Sequence, residues 1–422
     1  MTNKRWWQEP TRAQWAAFAA AWVGWVLDAF DFTIYLLVLP QISAEFHQPG
    51  TALAGSITLT LLVRLAGGTV AGWMADRWGR KLPLMISLVW FAVFDAAIYF
   101  APTFAWLLVL RTIFGFGMGA EWTAGTALAM ESMPPRARQM ASGLLQAGWP
   151  IGFLLAALTA YFVVPAFGWR AMFLIAALPA ILVFPIRAMV KDEPVAAASH
   201  NAAKKSASPF AGLGAPGVPK MLVLGALVTA LGFVVYYGLT SQYSLMLVTE
   251  LKLSPQNAFI DVILFNAGML VGVVVTGVVA SRKGVIVALV APALAMVPFL
   301  PMFVGWVPGC IGVGAFLGGA LGVGYSGVTP VLTTSLFAPE IRARAIGFVY
   351  HAGALIAAFV PWVIAELSAQ LHQPLGTVIA AVVAVGLVAM ATAVLVLRRH
   401  LVPGAAPAAS SPSSSVSDAV AV

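Results

Sequence analysis

Six ionisable side chains stand inside long apolar runs: Asp28 and Asp31 in 15 to 39, Arg64 in 54 to 75, Asp95 in 83 to 101, and Arg111 and Glu121 in 105 to 130. An acid or base at the centre of a membrane-spanning helix costs about 2.5 to 3.5 kcal/mol on insertion scales, so each is read as functional by default. Asp28 and Asp31 are three apart, which sets both on one helical face, toward other helices or a water-filled path rather than lipid. With all six ionised, four acids against two bases would leave the interior at −2. The cheaper arrangement lets one or two acids hold a proton near neutral pH, because burial disfavours the charged form. Groups poised in this way can load and release protons as access alternates between the two sides. Proton-coupled transport therefore follows from the charge count.

Asp31 is the first choice for the proton carrier, with Glu121, about 15 Å along the helix from Arg111, an equal candidate. Asp28 is either a further coupling acid or the partner of Arg111, which is expected to lock the first span to the fourth as a structural ion pair. The planar fork of Arg64 suits a substrate carboxylate, with a static salt bridge as the alternative. Asp95 is either a water-facing structural residue or a member of the site. The second half of the chain offers Tyr236, Tyr237, Gln242, Asn266, Tyr325, Tyr350 and His351. Such groups suit hydrogen bonds to a substrate, or simply bridge helices. His351 titrates near neutrality when unperturbed.

The elements that must position these residues are membrane helices. Of 422 residues 61% are hydrophobic and 9% charged, against about 25% charged in soluble domains. Twelve apolar runs have spanning length, at about 15 to 39, 54 to 75, 83 to 101, 105 to 130, 139 to 164, 169 to 188, 221 to 249, 258 to 280, 285 to 304, 308 to 335, 345 to 367 and 375 to 397. They are continuous rather than alternating, which excludes strands and predicts an all-α membrane protein. The first run is too long for a cleaved signal and carries two acids, so it is read as retained. The single cysteine, Cys310, rules out an intrachain disulfide.

Nineteen of the 23 basic residues fall in loops or flanks on one side, leaving Arg170 and Lys252 on the other and Arg64 and Arg111 within spans. By the positive-inside rule that side, with both termini, is cytoplasmic; the membrane is expected to be a plasma membrane, the inner membrane of a bacterium. The net charge of +8 is thereby explained without nucleic acid.

The loop Gly72-Trp73-Met74-Ala75-Asp76-Arg77-Trp78-Gly79-Arg80-Lys81 has a reduced copy in Gly277-Val278-Val279-Ala280-Ser281-Arg282-Lys283-Gly284, 205 residues on (277 − 72). Gly117 and Gly119 return as Gly322 and Gly324 at the same offset, and Arg136-Ala137-Arg138 returns as Arg342-Ala343-Arg344 at 206. Two related six-helix bundles are therefore expected, at 1–188 and 220–402, joined by a polar cytoplasmic loop at 189–219 and followed by a disordered tail at 403–422. Parallel repeats of this kind carry a substrate site near the midplane between them. Asp76 and Arg77, with Arg136 and Arg138, are expected to form a cytoplasmic gate together with Gly72, Gly79 and Arg80, Gly79 allowing a tight turn. Ser281 replaces the acid in the second copy, so the clasp is expected to be lopsided.

Here a resemblance becomes specific. The Gly-x-x-x-Asp-Arg-x-Gly-Arg-Lys loop resembles the signature of the major facilitator superfamily, as does Arg111 followed by Gly115, Gly117 and Gly119. Asp28-Ala29-Phe30-Asp31-Phe32, Arg64 with Gly67-Gly68, Gly117-Met118-Gly119-Ala120-Glu121, Glu131-Ser132-Met133-Pro134 and Gly168-Trp169-Arg170-Ala171 are more narrowly similar to its sialate:proton symporter branch, which also holds monocarboxylate carriers. Asp95 departs from that pattern, standing where a small neutral residue is expected. The resemblance implies a twelve-helix carrier importing lactate, pyruvate, sialate or a similar anion with protons. A monomer in the lipid bilayer is expected, with no cofactor or metal besides the coupling ion.

The alternatives within transport are a sugar:proton symporter and a cation or drug:proton antiporter; Arg64 favours an anion. From another class, Gly324-Tyr325-Ser326-Gly327 with His351 resembles an intramembrane serine protease. The repeat already accounts for Gly322 and Gly324, and a protease would leave the first-half charges unexplained.

Overall fold

The computed structural model describes residues 5–178, 210 and 212–398. Twelve helices cross one another in it, and eleven are long and apolar enough to span a membrane. They are α1 Arg12–Phe46, α2 Gly50–Trp78, α3 Lys81–Tyr99, α4 Phe104–Ser132, α5 Arg138–Phe167, α7 Val218–Thr249, α8 Pro255–Lys283, α9 Val285–Phe303, α10 Ile311–Ser335, α11 Arg342–Leu371 and α12 Leu375–Arg398. Helix α6 enters at 171 and is described to 178. Within the polar connection at 189–219, residues 189–209 and 211 lie outside the described residues, as does all of the tail at 403–422.

The chemistry is inverted relative to a soluble protein. Val93, Leu158, Phe162, Val271 and Val385 point outward and exposed, while Asp28, Asp31, Arg64, Asp95, Arg111 and Glu121 are buried. Lipid is as apolar as leucine, so burial of apolar surface does little to hold helices together there, and close packing and buried polar contacts take over. Glycine seams supply the close approach. Within the first six helices, a Cβ on Gly115 would meet the Thr60 backbone of α2 at 2.6 Å. Between the two sets of six, α2 packs on α11 and α5 on α8. A Cβ on Gly72 would lie 2.5 Å from Arg344 Cα, one on Gly347 2.7 Å from Thr123 Oγ1, and one on Gly143 2.5 Å from the Val273 carbonyl.

The 205-residue repeat has a backbone counterpart. Gly79 ends α2 at φ 93°, ψ 159°, and Gly284 ends α8 at φ 88°, ψ 158°, a conformation in which a side chain would be strained. The α4 and α10 copies differ. Helix α4 is regular throughout, whereas α10 passes through a π segment at Gly318–Val323 and a 3-10 segment at Gly324–Val328. Pro330 supplies a cause, since its ring excludes the carbonyl four residues back, that of Ser326. Side chains satisfy the carbonyls released: Thr276 Oγ1 donates to Gly324 O at 2.8 Å, Ser142 Oγ to Gly327 O at 2.7 Å, and Thr329 Oγ1 to Ser326 O at 2.8 Å. A broken helix at membrane depth is tolerable on that condition.

Candidate functional site

Helix α1 lays Asp28 against α2, where Arg64 Nη2 donates to Asp28 Oδ2 at 2.8 Å with both side chains buried. This corrects the expected pairing of Asp28 with Arg111. One turn separates the two acids on α1, but register between helices decided the partner, and a single sequence does not encode that register. Arg111 makes no ion pair among the described residues; its guanidinium lies between the rings of Tyr35 and Phe114, at 4.2 and 4.5 Å from their centroids. Such contacts are worth about 2 kcal/mol or more when desolvated. Glu121 accepts a hydrogen bond from Ser87 Oγ at 3.0 Å.

Arg64 also opens onto a cavity between the first six helices and the last six. Trp25 of α1, Gln146 and Trp149 of α5, Tyr236 and Tyr237 of α7, Tyr325 of α10 and Tyr350 of α11 line it. The walls meet through Trp149 Nε1, which donates to the Tyr236 hydroxyl at 3.0 Å, and through Trp122 stacked on Tyr350 with centroids 4.0 Å apart. Arg64 Cζ lies 5.9 Å from the Tyr350 ring centroid. The cavity therefore offers one cation in a cage of aromatic faces.

Of the expected ligand-contacting residues, Arg64, Tyr236 and Tyr350 reach this cavity; Gln242, Asn266 and His351 do not. Gln242 Nε2 donates to Pro361 O at 3.2 Å and Asn266 Nδ2 to Val262 O at 2.9 Å, so both tie up backbone carbonyls instead. His351 sits in the α2–α4–α11 seam, its Nε2 3.1 Å from Gly119 O. Trp25 and Trp149 were not singled out from sequence. The signal for Trp25 was its position three before Asp28, on the same helical face.

At the end of the bundle that carries the α2–α3 loop, Asp76 receives Arg80 Nη1 at 3.2 Å, Arg344 Nε at 2.9 Å and the backbone N–H groups of Ala343 and Arg344 at 3.2 Å each. Arg80 also grips Glu131 through Nε and Nη2 at 3.0 and 3.1 Å, and Arg342 Nη1 reaches Glu131 Oε1 at 3.1 Å. The clasp thus joins α2 and α4 to the start of α11. Arg77, Arg136 and Arg138 were expected in it; of these, Arg138 stands at its edge, within electrostatic reach of Glu131 and Arg342. Arg77 stacks on Trp73 and Trp78, Arg136 meets Glu9 at 3.3 Å, and Arg138 Nε donates to Met133 O at 3.0 Å. Their copies Arg342 and Arg344 take the position because α2 packs across the halves, on α11. Ser281, in the acid's place in the second copy, is exposed and bonds to its own helix at Val278 O.

A membrane helix bundle with a central cavity between two related sets of six defines a secondary carrier. Residues 21–335 match the Major Facilitator Superfamily, and the chain belongs to that family of transporters. It is 27% identical over 372 residues to the cis,cis-muconate transport protein of Acinetobacter baylyi, covering 86% of this chain and 90% of that one. A probable 4-methylmuconolactone transporter of Cupriavidus pinatubonensis is 34% identical over 155 residues, and the niacin transporter NiaP of Acinetobacter baylyi 34% over 154. Those two matches cover 37% and 36% of this chain, and 36% and 35% of the relatives' own lengths. The proton:xylose symporter XylE superimposes with a TM-score of 0.75 at 18% identity, over 92% of this chain and 96% of that one, so the likeness is one of fold. The relatives are transporters rather than enzymes, which disposes of the protease alternative. The narrower resemblance to the sialate branch goes no further here than the superfamily.

Proposed function

We propose that this chain is a proton-coupled importer of a small, flat organic carboxylate, with Arg64 as the carboxylate site and Asp28 as the acid that releases it. The observation that carries this reading is the 2.8 Å pair that ties the cavity-lining Arg64 to the fully buried Asp28 behind it. A substrate carboxylate and Asp28 compete for one guanidinium, and protonating Asp28 frees it. The empty site, with Asp28 ionised, is neutral; the fully loaded site, with Asp28 protonated and an anion on Arg64, is neutral again. Either ligand alone leaves an uncompensated charge in a low-dielectric interior, which is what ties the two together.

Aromatic walls favour an unsaturated or aromatic acid, stacked between Trp25, Trp149 and Tyr350, over lactate, pyruvate or sialate. The muconate, muconolactone and niacin named for the relatives fit that chemistry. Arg64 on the cavity wall weighs against a neutral sugar and against a cation. The clasped end is taken as cytoplasmic, from the basic residues it carries.

The test is uptake into proteoliposomes under an imposed inward proton gradient, comparing cis,cis-muconate, nicotinate, benzoate, lactate and sialate. Gradient-driven accumulation of one of the first three, lost in Arg64→Gln, is expected. Accumulation of none, with export of a cation instead, overturns the reading.

A further inference from the structure

A second set of charges lies deeper, away from the cavity lining. Asp31 of α1 and Asp95 of α3 are 1% and 0% exposed, and among the described residues neither takes part in an ion pair or hydrogen bond. Both Asp95 oxygens and Asp31 Oδ1 are buried without a partner. Facing them, Arg111 keeps Nε and Nη1 unpartnered while its plane lies between Tyr35 and Phe114. The two acids and the guanidinium lie within electrostatic reach of one another. The remaining titratable or charged groups around them are Asp28 and Tyr35 on α1, Arg64 on α2 and Glu121 on α4; of these, Asp28 is held by Arg64 and Tyr35 by Ser56.

A structural ion pair closes up, because two buried charges that fail to bond leave their desolvation uncompensated. This set has not closed up. Two ionised carboxylates against one guanidinium carry −1; one proton shared between them brings the set to zero without moving a side chain. Arg111, held by rings rather than by oxygens, can swing to either acid when that proton leaves.

We propose that Asp95 and Asp31 form a second proton site, with Arg111 as its mobile counter-charge, so that one transport cycle carries a proton here besides the one on Asp28. Asp31 is the link between the two sites: it lies one helical turn from Asp28, and the two interact electrostatically. The inference rests on the proton-coupled reading above. Asp95 is the residue that distinguishes it, since the charge on Asp31 and Arg111 alone would cancel.

The experiment combines two readouts on the full-length protein. In proteoliposomes the logarithm of the steady-state accumulation ratio of the transported acid is measured against the imposed pH difference, for wild type, Asp95→Asn and Asp95→Glu. In reconstituted membranes the infrared C=O stretch of protonated carboxylic acid is titrated with pH for the same proteins. The expected result is that Asp95→Asn lowers the slope by about one proton per substrate and removes part of the titrating band, while Asp95→Glu keeps both. An unchanged slope and band in Asp95→Asn overturns the inference, as does a loss of folded protein and of all uptake that Asp95→Glu fails to restore. If the wild type accumulates nothing with a proton gradient but its band depends on Asp95, the symport reading falls and the proton site stands.

Discussion

Helices α4 and α10 began as copies and have diverged in opposite directions. Helix α4 is an unbroken run from Phe104 to Ser132 that carries Arg111, Glu121 and Glu131. Helix α10 carries no charged residue from Ile311 to Ser335, and its ladder is broken twice. A regular helix has all its backbone groups satisfied, so it can present charges whose positions are fixed. A broken one needs its neighbours' hydroxyls, and those hydroxyls are then no longer available to a substrate. The same division runs through the halves: the acids and arginines at mid-depth come from α1 to α4, and the cavity wall opposite carries the tyrosines.

The comparison can be broken most sharply at the clasp. Asp76→Ala leaves Arg344 and Arg80 facing an empty site, and truncating one partner of a buried pair costs about 3 to 5 kcal/mol. The expected outcome is a shift away from the closed arrangement, read as faster thiol labelling of a cysteine placed at Leu336, which lines the cavity. Next comes Arg64→Gln. Losing a buried charge that bonds a carboxylate is worth about 2 to 5 kcal/mol, so the specificity constant for the transported acid is expected to fall about a hundredfold or more, a loss of at least about 2.7 kcal/mol. By contrast Tyr350→Phe, on the opposite wall, should change it by less than about tenfold, since the ring face and not the hydroxyl meets Arg64. Equal losses in the two variants would refute the division between halves.

A smaller effect is expected at Gly347→Ala, where the new methyl would meet Thr123 Oγ1 at 2.7 Å. Overpacking of this size costs about 1 to 3 kcal/mol, and Thr123→Ser in the same chain should recover part of it because a clashing methyl is removed. Smallest is Ser142→Ala, which strips the broken α10 of its bond to Gly327 O. Thermal unfolding in detergent should report a loss of about 1 kcal/mol. Removing the hydroxyl of Thr112 in α4, which bonds only to its own helix at Leu108 O, should report less.

Much of this was legible in the sequence because the bilayer leaves few choices. Twelve apolar runs could only be helices, and the 205-residue offset announced the repeat that Gly79 and Gly284 share in their backbone angles. Buried charge was legible for the same reason, each residue being too expensive in lipid to be accidental. Pairing was not. Asp28 on Arg64 rather than Arg111, and Asp76 on Arg344 rather than on the nearer Arg136 and Arg138, depend on which helices pack and in what rotation. The repeat did contain the clue for the clasp, because Arg342 and Arg344 are the copies of Arg136 and Arg138. The tyrosines of the cavity were among the sequence candidates, but its tryptophan side was missed, since tryptophans in a membrane span read as ordinary packing until the opposite wall is in place. The broken ladder of α10 was hidden behind glycines that read equally well as close packing.

The glycine seam between α2 and α11 has a thermodynamic consequence. Gly72 and Gly347 bring backbone against backbone, or backbone against a short threonine, where most interfaces interlock long side chains. Freezing a long side chain on each closure would cost up to about 2 kcal/mol in rotamer entropy. A glycine has no rotamers to lose. The two halves can therefore part and meet again with almost no side-chain entropy at stake along that line, leaving the charges of the clasp to set the balance.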